Sequence, residues 1–184
     1  TPKYSNEFLS IGVGARALAM ANTQVAITDD VTAGYWNPAG LLNIETKYEL
    51  SAMHAAYFGG IANYDYVGFS TAINEKNRMG ISLIRFGIDD IPDTRFLIDD
   101  NGGINYDRIG SFSEASYAFL FSYARELEIS YKSKSRETET QFTHNLPLRL
   151  GANFKIIRRV AGEFANAWGF GLDIGVQTEI RKWK

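Results

Sequence analysis

From Trp168 to Gln177 the chain alternates between two kinds of side chain: Trp168, Phe170, Leu172, Ile174 and Val176 on one phase, Gly169, Gly171, Asp173, Gly175 and Gln177 on the other. A period of two is the spacing at which successive side chains of a β-strand point to opposite faces of a sheet. The preceding segment repeats the rule, with Leu148, Leu150, Ala152, Phe154 and Ile156 set against Arg149, Gly151, Asn153 and Lys155. Between Tyr117 and Tyr123, Tyr117, Phe119, Phe121 and Tyr123 oppose Ala118, Leu120 and Ser122. Val67, Phe69 and Ile73 oppose Gly68, Ser70 and Ala72, and that run ends at Asn74-Glu75-Lys76-Asn77, a polar tetrapeptide suited to a tight hairpin turn. Met79, Ile81 and Leu83 carry the pattern back, although Ile84 and Phe86 blur its phase. A first strand is expected over Tyr48 to Phe58, less cleanly, giving about six or seven strands beyond Thr46.

The length of these runs bears on their surroundings. Alternation over about ten residues fits a tilted membrane strand better than the ~5–6 residues usual in soluble sheets. No stretch offers the 18 or more apolar residues of a membrane helix. Asn74 to Asn77 reads as a short turn, while Asp89 to Ser111 and the charged Ser133 to Asn145 read as long loops, an asymmetry typical of outer-membrane barrels. The expected fold is therefore all-β, an antiparallel transmembrane β-barrel in a bacterial outer membrane, with a soluble β-sandwich binding module as the alternative. Trp168, Phe170, Leu172, Ile174 and Val176 are the expected lipid-facing set. Arg149, Asn153, Lys155, Asp173 and Gln177 face the lumen, as a polar network that stiffens the interior or as the lining of a permeation path. The chain opens at Thr1 without an apolar leader, so any signal peptide is expected to be removed or not included.

Chemistry is thinly represented. The absence of cysteine removes disulfides, thiolate ligands and thiol nucleophiles. His54 and His144 stand too far apart for a local ligand pair, so no metal site is expected. A net charge of -2 calls for no nucleic acid. Gly12-Val13-Gly14 lacks the third glycine of a nucleotide-binding turn and reads as a close-packed bend. Asp89, Asp90, Asp93, Asp99, Asp100, Asn101 and Asp107 supply oxygen atoms without the spacing of a calcium loop, so a solvated loop is the expectation. Lys132, Lys134, Arg136, Glu137 and Glu139 read as a wet hairpin end. Adjacent Asp29 and Asp30 have no partner base or nucleophile, and neither an enzyme nor a cofactor is expected.

Residues 1–45 differ from the rest, being rich in small residues, with helix favoured from Ala15 to Asn22 and a loop expected around Asn37, Pro38, Ala39 and Gly40. Gly14-Ala-Arg-Ala-Leu-Ala-Met20, Val25-Ala-Ile-Thr-Asp-Asp30 and Tyr35-Trp-Asn-Pro-Ala-Gly-Leu41 together resemble the PorV/PorQ family of outer-membrane proteins, relatives of the FadL fatty-acid transporters. Ala161 to Asp173 is similar to that family as well. The resemblance implies a barrel of fourteen strands with a small N-terminal plug, residues 1–45, that contains Asn37 to Gly40. Residues 46–184 would then be barrel strands, about the first half of the wall, since an open sheet edge cannot face lipid. It also implies a role in type IX secretion, with the SprA-type translocon, the C-terminal signal domains of exported cargo and outer-membrane lipid as partners. A FadL-like channel for hydrophobic small molecules is the alternative.

Overall fold

The structure, a computed structural model, describes residues 6–98, 102–134 and 141–179, with 131–134 and 141–145 described by backbone alone. Asp99, Asp100, Asn101, Arg136, Glu137, Glu139, the side chains of Lys132, Lys134 and His144, and the closing Ile180 to Lys184 lie outside it.

Six strands form one antiparallel sheet in chain order: β1 (Tyr48–Tyr57), β2 (Ala62–Asn74), β3 (Asn77–Asp93), β4 (Gly110–Lys134), β5 (Gln141–Ala161) and β6 (Ala165–Thr178). The alternating runs become these strands in the expected phase. At the β2–β3 turn, Asn74 Oδ1 accepts from Lys76 N at 3.0 Å and from Asn77 Nδ2 at 2.7 Å, the Asx geometry that makes Asn a turn former.

Two loop boundaries need correction. The expected loops at Asp89 to Ser111 and Ser133 to Asn145 are partly strand, because β3 runs on to Asp93, β4 spans 25 residues and β5 spans 21. Around Asp89, Asp90 and Pro92 the polar sequence reflects exposure, which an extended ladder tolerates once its backbone is paired. The loop asymmetry also changes. In a sheet wound in chain order, connections alternate between ends, so the β4–β5 connection shares an end with the short Asn74–Asn77 turn. The opposite end carries two short connections and the long one that follows Asp93.

Pairing register aligns whole rows across the sheet. On one face the central row is Leu50, Phe69, Ile81, Phe121, Phe154 and Leu172. It is flanked by Ala52, Val67, Leu83, Phe119, Ile156 and Phe170 on one side, and by Tyr48, Thr71, Met79, Tyr123, Ala152 and Ile174 on the other. No charged residue stands in these three rows, and no described residue covers them: Leu50 is 72%, Leu172 69% and Ile174 77% exposed.

The other face carries small and polar residues, and the N-terminal segment lies on it. That segment contains α1 (Ala15–Ala19), α2 (Ala33–Trp36) and a 3-10 helix over Pro38–Asn43. Phe8 and Val13 pack with Tyr64, Tyr66, Ile84, Ala118, Leu120 and Ile157 into the main core cluster, with Phe86 partly buried against it. Ile84 and Phe86 therefore keep the alternation rather than break it: they are the apolar part of the covered face. The phase does slip later, at a bulge between Ile88 and Ile91 where Asp90 takes a φ of 58°.

Candidate functional site

The contact between the N-terminal segment and the sheet is rich in polar contacts. The Asn37-Pro38 pair, expected as a loop, instead starts a helix. Asn37 Oδ1 accepts from Ala39 N at 3.2 Å and proline occupies the first helical position, where its missing N–H costs nothing. Helix α1 is shorter than expected, ending at Ala19, because Ala21 and Asn22 take left-handed backbone angles that end the turn. Gly12 bends where a side chain would strike Asn22 Oδ1, and Trp36 Nε1 donates to Val13 O at 2.9 Å.

Small residues on the sheet admit this segment. A Cβ at Gly151 would fall on the backbone of Pro38 and Ala39, and one at Gly175 on Asn37 Oδ1. Leu41 lies beside Gly80, and Gly34 sits above Ser122 and Ser82. The glycines of β5 and β6 are thus recesses for the Asn37 to Gly40 backbone, which is buried from Asn37 to Leu41.

The five polar residues expected on the inner face all point to this side of the sheet, and three bind the segment directly. Asn153, fully buried, donates through Nδ2 to Gly34 O at 2.5 Å and to Asp173 Oδ2 at 3.3 Å. Gln177 Nε2 donates to Ala26 O at 2.7 Å, and its Oε1 accepts from Asn43 Nδ2 at 2.9 Å. Arg149 bridges Glu126 (3.0 Å) and Asn43 Oδ1. Lys155 and Asp173 pair at 2.6 Å. A helix-capping asparagine completes the set: Asn37 Nδ2 donates to Val25 O at 3.2 Å and to Val176 O, on β6, at 3.4 Å.

Several anchoring residues escaped the sequence reading. Arg78, 3% exposed, donates to Ile44 O at 3.0 Å, Thr46 O at 2.7 Å and Ser70 Oγ, tying the end of the segment to β2 and β3. Tyr66 donates from its hydroxyl to Val31 O at 3.2 Å, and Glu49 Oε1 accepts from Val31 N at 3.2 Å. Arg78 was legible in principle, as a lone cation on the phase of Gly80 and Ser82. Tyr35, whose hydroxyl donates to Leu9 O, is pushed above the usual phenol pKa by burial. Four of the carboxylates named in the sequence have local partners. Asp29 pairs with Arg16 at 2.6 Å, Asp30 accepts from Thr32 N at 2.8 Å, Asp89 meets Arg85 and Asp93 meets Arg95. No cluster of three or more His, Cys, Asp or Glu capable of holding a metal occurs among the described residues.

The chain finds no match among protein-family models, curated proteins or solved structures. Replacing Asn37 by alanine removes the cap and both cross-links, so the Pro38–Asn43 helix should loosen by about 0.5–2 kcal/mol. Amide hydrogen exchange at Ala39 and Gly40 should quicken about 2- to 30-fold, whereas unchanged protection would show that glycine packing alone holds the segment.

Proposed function

We infer that the chain is part of the wall and the plug of an outer-membrane β-barrel, and that the whole protein serves type IX secretion in the manner of the PorV/PorQ family it resembles. One observation carries the barrel reading: three uncharged rows lie bare across all six strands, while the face behind them is filled by the protein's own N-terminal segment. A soluble protein rarely leaves so continuous an apolar surface in water. A barrel presents such a band to lipid and keeps its polar residues inside.

On this reading Asn37 to Gly40 belong to the plug, held in place by Gly151, Gly175, Asn153 and Gln177. Among the described residues the outer strands, β1 and β6, are each paired along one edge, and on this reading the barrel closes through further strands between them. The secretion role rests on the residue runs quoted above and has a direct test. Full-length protein extracted in mild detergent is expected to co-purify with a large translocon and with cargo signal domains. Recovery of neither, together with uptake of a long-chain hydrophobe into liposomes carrying the protein, would favour the FadL-like channel instead.

A further inference from the structure

The uncharged band has a polar border that runs straight across the sheet: His54, Asp65, Arg85, Tyr117, Arg158 and Trp168 are register partners on β1 to β6. Most of this border is internally paired. His54 Nδ1 lies 2.6 Å from Asp65, and Arg85 is shared between Asp65 at 3.5 Å and Asp89 at 3.1 Å. Arg158 differs. Its guanidinium lies over the Trp168 ring, 5.3 Å from the centroid, and it makes no ion pair among the described residues. Its Nε is buried without a hydrogen-bond partner, an arrangement that leaves a donor unsatisfied. A cleft of about 490 Å³ opens beside it, lined by Arg85, Asp89, Tyr117, Phe119 and Trp168 among others. One end of the cleft is thus polar with one uncompensated cation, and at Phe119 it passes into the apolar band.

We propose that this cleft binds the phosphate of an anionic lipid, with Arg158 as the charge partner, Tyr117 as a neighbouring hydroxyl, and the acyl chains lying along Phe119 and Phe170. A guanidinium suits a phosphate because its planar set of N–H donors matches the oxygens, and a ring beneath it restricts its orientation. Amphipathic Trp and Tyr at the edge of an apolar band suit the headgroup level of a bilayer. Asp89 stands in the cleft, but its carboxylate is held by Arg85, so among the cleft's lining residues Arg158 is the cation with no carboxylate against it. A free phosphate ion would satisfy the same donors; the lipid is favoured because the cleft continues into uncharged surface.

The proposal rests on the lipid-facing reading of the bare face, and the experiment separates the two. Full-length protein in nonionic detergent is mixed with dimyristoylphosphatidylglycerol or dimyristoylphosphatidylcholine, and retained lipid is counted by native mass spectrometry. Wild type should retain the anionic lipid about tenfold over the zwitterionic one, a difference of one charge-assisted contact. Arg158→Gln should abolish that preference and Arg158→Lys should keep part of it. Arg159→Gln, on the opposite face, should leave it intact. Trp168→Leu, which removes the ring and keeps the charge, should weaken it several-fold and supplies the test if Arg158→Gln does not fold. Equal retention of both lipids by wild type, preserved preference in Arg158→Gln, or displacement of bound lipid by millimolar inorganic phosphate would overturn the proposal. Solubility of the full-length protein without detergent would instead overturn the lipid-facing reading.

Discussion

Leu172→Arg should cost about 2–4 kcal/mol of folding stability in a bilayer, whereas Gly171→Ser, its neighbour on the other face, should cost far less. Leu172 is in the central row of the bare face and 69% exposed, so in water an arginine there would be nearly neutral, within about 0.5 kcal/mol. The penalty arises only if the surroundings cannot solvate a guanidinium. Val176→Arg supplies the depth control. It lies in the row of Asn77 and Arg125, where the band gives way to polar residues, and the cost should fall toward about 0–1 kcal/mol. Folding of full-length protein into vesicles across a urea series reads all three. Equal effects at Leu172, Val176 and Gly171 would mean that the bare face does not meet lipid.

The second large effect is expected at Gly151. Alanine there sets a methyl group against the Pro38 and Ala39 backbone, which cannot swing aside as a side chain would. Overpacking of this kind typically costs about 1–3 kcal/mol, occasionally more, and here relief comes by lifting the Pro38–Asn43 helix off the sheet. Valine and leucine should be progressively worse. Gly171→Ala is the matched control, because its methyl would meet only the Lys155 side chain at ordinary contact distance, 3.5 Å from Cβ. Limited proteolysis is expected to cut Gly151 variants within residues 6–45 and to spare Gly171→Ala. Indistinguishable digestion of the two would remove the recess from the account of how the segment is held.

Strand phase was legible because it depends on one local rule. The faces of β4, β5 and β6 follow directly from the alternation at Tyr117, Phe154 and Leu172. Strand ends were not legible: Asp89, Asp93 and Glu114 sit where the ladder has passed beyond the apolar rows, and nothing in a polar side chain distinguishes an exposed ladder from a loop. Ile84 and Phe86 looked out of phase because their cover, Phe8 and Val13, comes from a segment with no periodic signal of its own. The polar set on the inner face could be picked out from its phase, but its engagement with the Ala26 and Gly34 carbonyls and the Asn43 side chain depends on a path of the N-terminal segment that no residue pattern announces. Asn37 was visible as part of a motif; its reach to Val176 was not.

That reach sets an order of events. Every strand pairs with its neighbour in sequence, so the sheet can grow hairpin by hairpin with modest loop closure at each step. Asn37 and Val176 are separated by 139 positions, and the recess at Gly151 exists only once β5 is in register. Residues synthesised before every strand of the sheet are consequently among the last to find their seat, and until β6 arrives the Asn37 amide lacks its partner on that strand.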